Sequence, residues 1–127
     1  MRKNNAIARK IASAMVPIPS GSSALQLATA YDPATGLDHF PPWAMGAVPL
    51  QQKLIGPSGI LYTYTRMYLP KDQGSYLIGF ADFDEGVRLL GRLASTDGRT
   101  PRIGQRLTIA AVDAANADAG YEFRLMD

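Results

Sequence analysis

Residue character alternates position by position through three successive stretches in the middle of the chain, and this period of two is its strongest pattern. Leu61, Thr63, Thr65 and Met67 alternate with Tyr62, Tyr64, Arg66 and Tyr68. Tyr76, Ile78 and Phe80 take one side of the next stretch, and Leu77, Ala81 and Phe83 the other. In the third, Val87, Leu89, Gly91 and Leu93 alternate with Arg88, Leu90 and Arg92. β-Branched and aromatic residues at this period predict strands whose two faces meet different surroundings. The second stretch carries bulk on both faces, which predicts cover on both sides. Asp84, Glu85 and Gly86 supply the bend between the second and third stretches. The outcome is an antiparallel meander.

Two further strands follow. Leu107, Ile109 and Ala111 alternate with Thr108, Ala110 and Val112 over residues 106–113. At the end of the chain Tyr121, Phe123 and Leu125 alternate with Glu122, Arg124 and Met126. Five strands with a long link at 95–105 have the rhythm of an OB barrel, and the crossover after the third strand favours it. Spacing alone also permits an SH3-like barrel.

Upstream the pattern changes. Ile7, Ile11 and Met15 recur every fourth residue, which predicts a short amphipathic helix over residues 1–15 with Arg9 and Lys10 on its flanks. Pro17 and Pro19 end it, because the residue before a proline is pushed out of the helical region. Residues 24–50 read as irregular, with a turn around Pro33 and Gly36 and a stiff aromatic run at Phe40, Pro41, Pro42 and Trp43. The expected organisation is a helix and linker at 1–23, a non-barrel segment at 24–54 and an all-β barrel at 55–127.

Length and charge narrow the function. A chain of 127 residues is one ordinary domain with room for a core. The formal charge of +2 is too small to argue for nucleic acid without a clustered patch. The absence of cysteine removes disulfides, thiolate metal sites and Cys nucleophiles. No apolar run is long enough to span a bilayer. The first fifteen residues are basic and free of acids, but Arg9 and Lys10 interrupt the apolar run that a signal peptide requires, so a cytoplasmic protein is expected.

The residues assemble no active site. His39 is the one histidine and reads as a loop residue. Its neighbour Asp38 points to the opposite side in an extended segment, which precludes a dyad. No serine sits in a nucleophile elbow and no glycine run is spaced to cradle phosphate. Asp82, Asp84 and Glu85 read as a solvated turn rather than a calcium or carboxylate site. One face remains: Tyr62, Tyr64, Arg66 and Tyr68 could stack the bases of a single strand, as OB barrels do. That gives a second reading, a single-stranded nucleic-acid-binding domain.

Several segments in order resemble a known family. They are Phe40-Pro41-Pro42, the stretch from Gly59 to Thr65, the stretch from Phe83 to Leu93, and the stretch from Arg102 to Leu107. Together they resemble acyl-CoA-associated OB-fold proteins that carry a rubredoxin-like zinc ribbon before the barrel and serve as accessory subunits of thiolase-like enzymes or, in some pathways, of acyl-CoA hydratases or aldolases. The likeness covers nearly the whole chain. It departs at the ribbon, where the family's cysteine pairs would fall near Asp32 and Thr35 and near Gly46 and Pro49. None of these is a thiolate, so the resemblance implies a degenerate, metal-free ribbon held by packing, with Phe40, Trp43 and Met45 as anchors. It further implies a non-catalytic subunit without a cofactor, in a hetero-oligomer with an enzyme that supplies the catalytic Cys and His. The expected partner interface is Ile7, Ile11, Met15, Phe40, Pro41, Pro42 and Trp43, and the expected contacts to coenzyme A phosphates are Arg9, Lys10 and Arg102.

Overall fold

The computed structural model describes residues 14–18, 24–40, 51–94, 99–113, 115–116 and 119–126. Two sheets share one core. The first is built on β2 (Leu25–Asp32), with β1 (Met15–Pro17) and β3 (Leu37–His39) following one another along one edge and β4 (Gln51–Ile55) along the other. The second is a closed barrel of β5 (Ser58–Tyr68), β6 (Ser75–Phe83), β7 (Val87–Ala94), β8 (Arg106–Ala111) and β9 (Tyr121–Leu125), hydrogen-bonded in the order β5-β6-β7-β9-β8 and back to β5. All its neighbours are antiparallel except β7 and β9, which run parallel through Leu93 and Ala94 against Phe123 and Arg124. A meander, a crossover, a returning hairpin and one short parallel closure make a five-stranded OB barrel.

The expected alternation is realised in β7, where Val87, Leu89 and Leu93 are buried and Arg88, Leu90 and Arg92 are exposed. Gly86 takes φ of 82° at the bend before it and donates its N–H to Phe83 O at 2.9 Å. In β6 the inward residues are Gly79, Ala81 and Phe83, and the opposite face carries exposed Phe80 rather than the cover its bulk suggested. Gly79 is required by close approach: a Cβ there would stand 2.7 Å from the backbone oxygen of Thr63. That oxygen belongs to a bulge in β5, where the register against β6 shifts between Leu61 and Thr63.

The bulge corrects the face read from the sequence. Leu61 points in opposite Ala81, the extra residue Tyr62 and then Thr63 point out, and Tyr64 points in again opposite Gly79. Tyr62 is therefore separated from Tyr64, Arg66 and Tyr68. An inserted residue inverts the alternation beyond it, and strict period two cannot show that.

Two expectations upstream are also corrected. The helix over 1–15 does not reach its end, since Ala14 lies in a turn and Met15 begins β1; residues 1–13 lie outside the described residues. Residues 24–40 are not irregular. β2 is the centre strand of its sheet, with strands along both edges and the barrel on one face, and six of the residues from Leu25 to Asp32 are Leu, Ala, Thr or Tyr in no alternating order. His39 accordingly sits half-buried in β3 opposite Ala30, not in a loop.

Packing joins the sheets. Leu25, Leu27 and Ile55 belong to the same buried cluster as Leu61, Phe83, Leu107, Ile109 and Phe123. A single bridge links Ala24 to Ala110, which explains why Ala110 is buried on the barrel's outer side. Phe40 stands edge-on to Tyr121, with ring centroids 5.8 Å apart. Trp43 and Met45 lie outside the described residues. Thr29, fully buried, donates its hydroxyl to Asp38 Oδ1 at 2.9 Å, and Lys53 Nζ reaches Asp38 Oδ2 at 3.5 Å.

Candidate docking face

The barrel wall formed by β5, β6 and β7 is the surface richest in exposed apolar side chains among the described residues. Register places its outward residues in rows: Ile60–Asp82–Arg88, then Thr63–Phe80–Leu90, then Thr65–Ile78–Arg92, then Met67–Tyr76. The second row is the apolar centre, with Phe80 40% and Leu90 47% exposed. Each flank carries an arginine stacked on a tyrosine. The Arg88 guanidinium lies 3.5 Å from the Tyr62 ring centroid and that of Arg92 lies 4.4 Å from Tyr76. Such contacts fix the guanidinium while leaving its edge free to donate.

Arg88 is further oriented by Asp82, with Nε donating to Oδ1 at 2.6 Å and Nη2 to Oδ2 at 3.1 Å. This fork is charge-assisted and bidentate. Its hydrogen bonds hold the Asp82 carboxyl below its ordinary value of 3.8, against a smaller opposing effect of desolvation. A depressed folded-state value means that the pair stabilises the fold above the unfolded pKa and stops doing so as pH falls through the folded one. The pair is half-exposed, so solvent screening keeps the energy small. Carboxyl-detected NMR titration is expected to place the Asp82 midpoint below 3.8, and Arg88→Ala to move it back up.

The hairpin acids are not simply solvated. Asp82 holds Arg88, and Glu85 Oε1 accepts the N–H of Gly56 at 3.1 Å, tying the β6–β7 bend to the entry of β5. Asp84 is exposed. Beneath the apolar centre, Tyr121 donates its hydroxyl to Leu90 O at 2.6 Å, and burial pushes its phenol up to about 12, so it stays a neutral donor.

The other sequence-based candidates are scattered. Met15 and Phe40 are half-buried and pack against the protein's own core, so neither offers its whole side chain to a partner. Arg102 is exposed on the loop before β8. Ile7, Arg9, Lys10, Ile11, Pro41, Pro42 and Trp43 lie outside the described residues. Tyr64 and Arg66 line an open cleft with Ser75 and Leu77, and Arg92 reaches its rim from the outer face. A continuous stacking platform for bases is therefore missing: Tyr62 is on the other face, and one side of the Tyr62 and Tyr76 rings is already covered by guanidinium. At the place of the family's first cysteine pair, Asp32 Oδ1 accepts the N–H of Ala34 at 2.9 Å and Oδ2 the hydroxyl of Thr35 at 3.0 Å. The turn is closed by side-chain hydrogen bonds. Among the described residues no three His, Cys, Asp or Glu side chains are grouped to hold a metal ion.

Sequence reasoning missed Phe80 and Leu90 as surface residues. The signal was present in β7, where Leu90 occupies the same face as Arg88 and Arg92.

Comparison with known proteins agrees with the barrel. Residues 51–112 match the family described as ChsH2, C-terminal OB-fold domain. The match runs from β4 through β8 and stops short of β9. Among solved structures the chain is similar to one described as the Ltp2-ChsH2(DUF35) aldolase, at 18% identity and a TM-score of 0.58, over 79% of this chain and 84% of that one. At that identity the likeness speaks for the fold. No curated protein matches the chain.

Proposed function

We propose that this protein is a non-catalytic accessory subunit that docks on a thiolase-like acyl- or acetyl-transferring enzyme and stabilises the complex and its acyl-CoA site. The match of the barrel to the ChsH2 OB-fold domain carries the reading. The structurally similar protein is itself described as an aldolase pairing Ltp2 with ChsH2, and that pairing is the precedent for an enzyme partner. The β5–β6–β7 wall supplies what docking requires: an apolar centre of Phe80 and Leu90 ringed by Arg and Tyr, the composition of energetically dominant interface residues.

In this reading the sheet around β2 is a ribbon that has lost its metal and rests on the barrel through Leu25, Leu27 and Ile55. Ile7, Ile11, Pro41, Pro42 and Trp43 extend the contact to the enzyme, and Arg9, Lys10 and Arg102 meet coenzyme A phosphates. The catalytic groups are the partner's. The assembly is a cytoplasmic hetero-oligomer. Its test is a tagged pull-down from the native host, washed at high salt and read by mass spectrometry. A stoichiometric thiolase-like enzyme in the eluate is expected, because an apolar interface survives salt. An eluate holding only nucleic acid, lost as salt rises, would sink the proposal.

A further inference from the structure

β5 is an eleven-residue strand, yet β8 pairs with it only through Ser58, Gly59 and Ile60. Leu61 ends that pairing: its N–H goes to Gln105 O at 2.9 Å, and its carbonyl accepts the N–H of Gly104 at 2.8 Å. Beyond the bulge, Thr63 to Tyr68 pair with β6 alone among the described residues. The bond from Leu69 N–H to Gly74 O, 2.9 Å, sets the phase of this ladder. By alternation Met67 and Thr65 also turn their backbone groups toward β6, and those of Arg66 and Tyr68 point away from it, along an edge that pairs with no other strand among the described residues. Proteins blunt such edges with proline, lysine or inward charge. Here the edge has no Pro, Lys or acid, and its one charge, Arg66, is engaged by Ser75 Oγ at 2.9 Å. Its apolar side chains face water: Tyr68 is 77% exposed, and Met67 and Leu69 are 40% exposed.

We propose that a second copy of this chain covers this edge, with β5 pairing antiparallel to β5 of the second copy about a two-fold axis at Met67. The edge is self-complementary in that register. Opposite residues of paired strands share a face, so a two-fold axis normal to the sheet must pass through a residue pair. An axis at Arg66 would set two arginines against each other. An axis at Thr65 would bring Leu69 of the second copy opposite Leu61, whose backbone groups are already taken. An axis at Met67 sets Arg66 opposite Tyr68 of the second copy, and their outward backbone groups exchange hydrogen bonds. It repeats across copies the arginine–tyrosine contact seen twice within the chain. Met67 then meets Met67, and Thr65 meets Leu69. The arginine–tyrosine match, which the edge makes with itself in this register alone, thus selects the occupant and the register together. The hairpin gains the neighbours that a two-stranded ribbon lacks. A short strand pairing lies below the standard interface of about 1,200–2,000 Å², so the dimer is weak and reversible. The proposal is independent of the enzyme-docking reading.

The chain has no cysteine, so a single introduced one can form a protein–protein disulfide only between copies, by displacing glutathione from the mixed disulfide of one copy with the thiolate of the other. The axis pair is of the non-hydrogen-bonded kind, with Cα atoms about 4.5 Å apart, inside the roughly 4.4–6.8 Å that a disulfide spans. In a glutathione buffer the full-length Met67→Cys variant is expected to become a covalent dimer. Thr65→Cys, two pairs off the axis, and Leu37→Cys, exposed on β3, are expected to stay at collisional background. Light scattering of the unmodified protein is expected to rise toward two chains with concentration. Met67→Lys, which opposes two charges at the axis, is expected to remain one chain with an unchanged Tm. A protein that stays one chain at every concentration, or crosslinking at Met67 no greater than at Thr65 or Leu37, overturns the proposal.

Discussion

Phe123→Ala is expected to lower the folding free energy by about 3–5 kcal/mol, the range for removing a fully buried phenylalanine. The ring has no exposed surface. It stands edge-on to Phe83 at 5.9 Å between centroids and tilted against Tyr121 at 5.7 Å. On its third side lies bare backbone, because a Cβ at Gly91 would fall 2.6 Å from Cε2 of the ring. β9 also closes the barrel, pairing parallel to β7 at Phe123 and antiparallel to β8 opposite Ile109. A closed wall cannot collapse inward to fill the void, so both the transfer and the cavity contributions apply in full. Urea unfolding should show a lower midpoint with an unchanged slope, the sign of lost stability rather than altered compactness. A loss under about 1.5 kcal/mol would mean that the barrel relaxes around the gap, and that closure through β9 is looser than the geometry shows.

Where side-chain pattern and backbone geometry coincide, the sequence was legible. β7 buries alternate residues, β6 does so from Gly79 to Phe83, and the long link after β7 distinguishes an OB barrel from other five-stranded closures. Elsewhere the two come apart, for physical reasons. β2 lies between strands on both edges and under the barrel on one face, so every position is partly covered and alternation disappears. The bulge at Tyr62 reverses the faces of everything after it, which turned four residues read as one stacking surface into two surfaces. Met15 fits a four-residue repeat as well as it fits a strand of three residues, and only its partner Leu27 decides between them. The docking face was hidden by a related ambiguity. Phe80 has the same chemistry whether it is covered or exposed, and its side of β6 is settled by Leu90 and Thr63 in neighbouring strands. The barrel could therefore be read from the sequence, while the candidate docking face required the register.

Replacing Phe80 and Leu90 together by aspartate is expected to abolish recovery of the enzyme partner and leave the fold intact. Both side chains are partly exposed and neither belongs to the buried cluster, so each change should alter stability by about 0.5 kcal/mol or less. Their value to a partner is far larger. Central aromatic and apolar anchors in a desolvated interface commonly account for about 2 kcal/mol or more apiece, close to 30-fold in affinity each. An aspartate adds the cost of burying a charge, and it would compete with Asp82 for Arg88, which sits one row away. The Arg88 fork and the Arg92 stack should keep their geometry if only one centre residue is changed, so Phe80→Ala alone is expected to weaken recovery without ending it. The readout is the enzyme recovered per mole of bait at high salt, with Tm measured on the same preparations. If recovery is undiminished at unchanged Tm, the wall is not the docking surface, and the contact to the enzyme must be made through residues 1–13 and 41–50 instead. If recovery is lost while Met67→Cys still crosslinks, the face and the β5 edge serve different partners. That outcome is the expected one, because their central residues do not overlap: Phe80 and Leu90 bind through side chains on the outer face, whereas Arg66 and Tyr68 pair through the backbone.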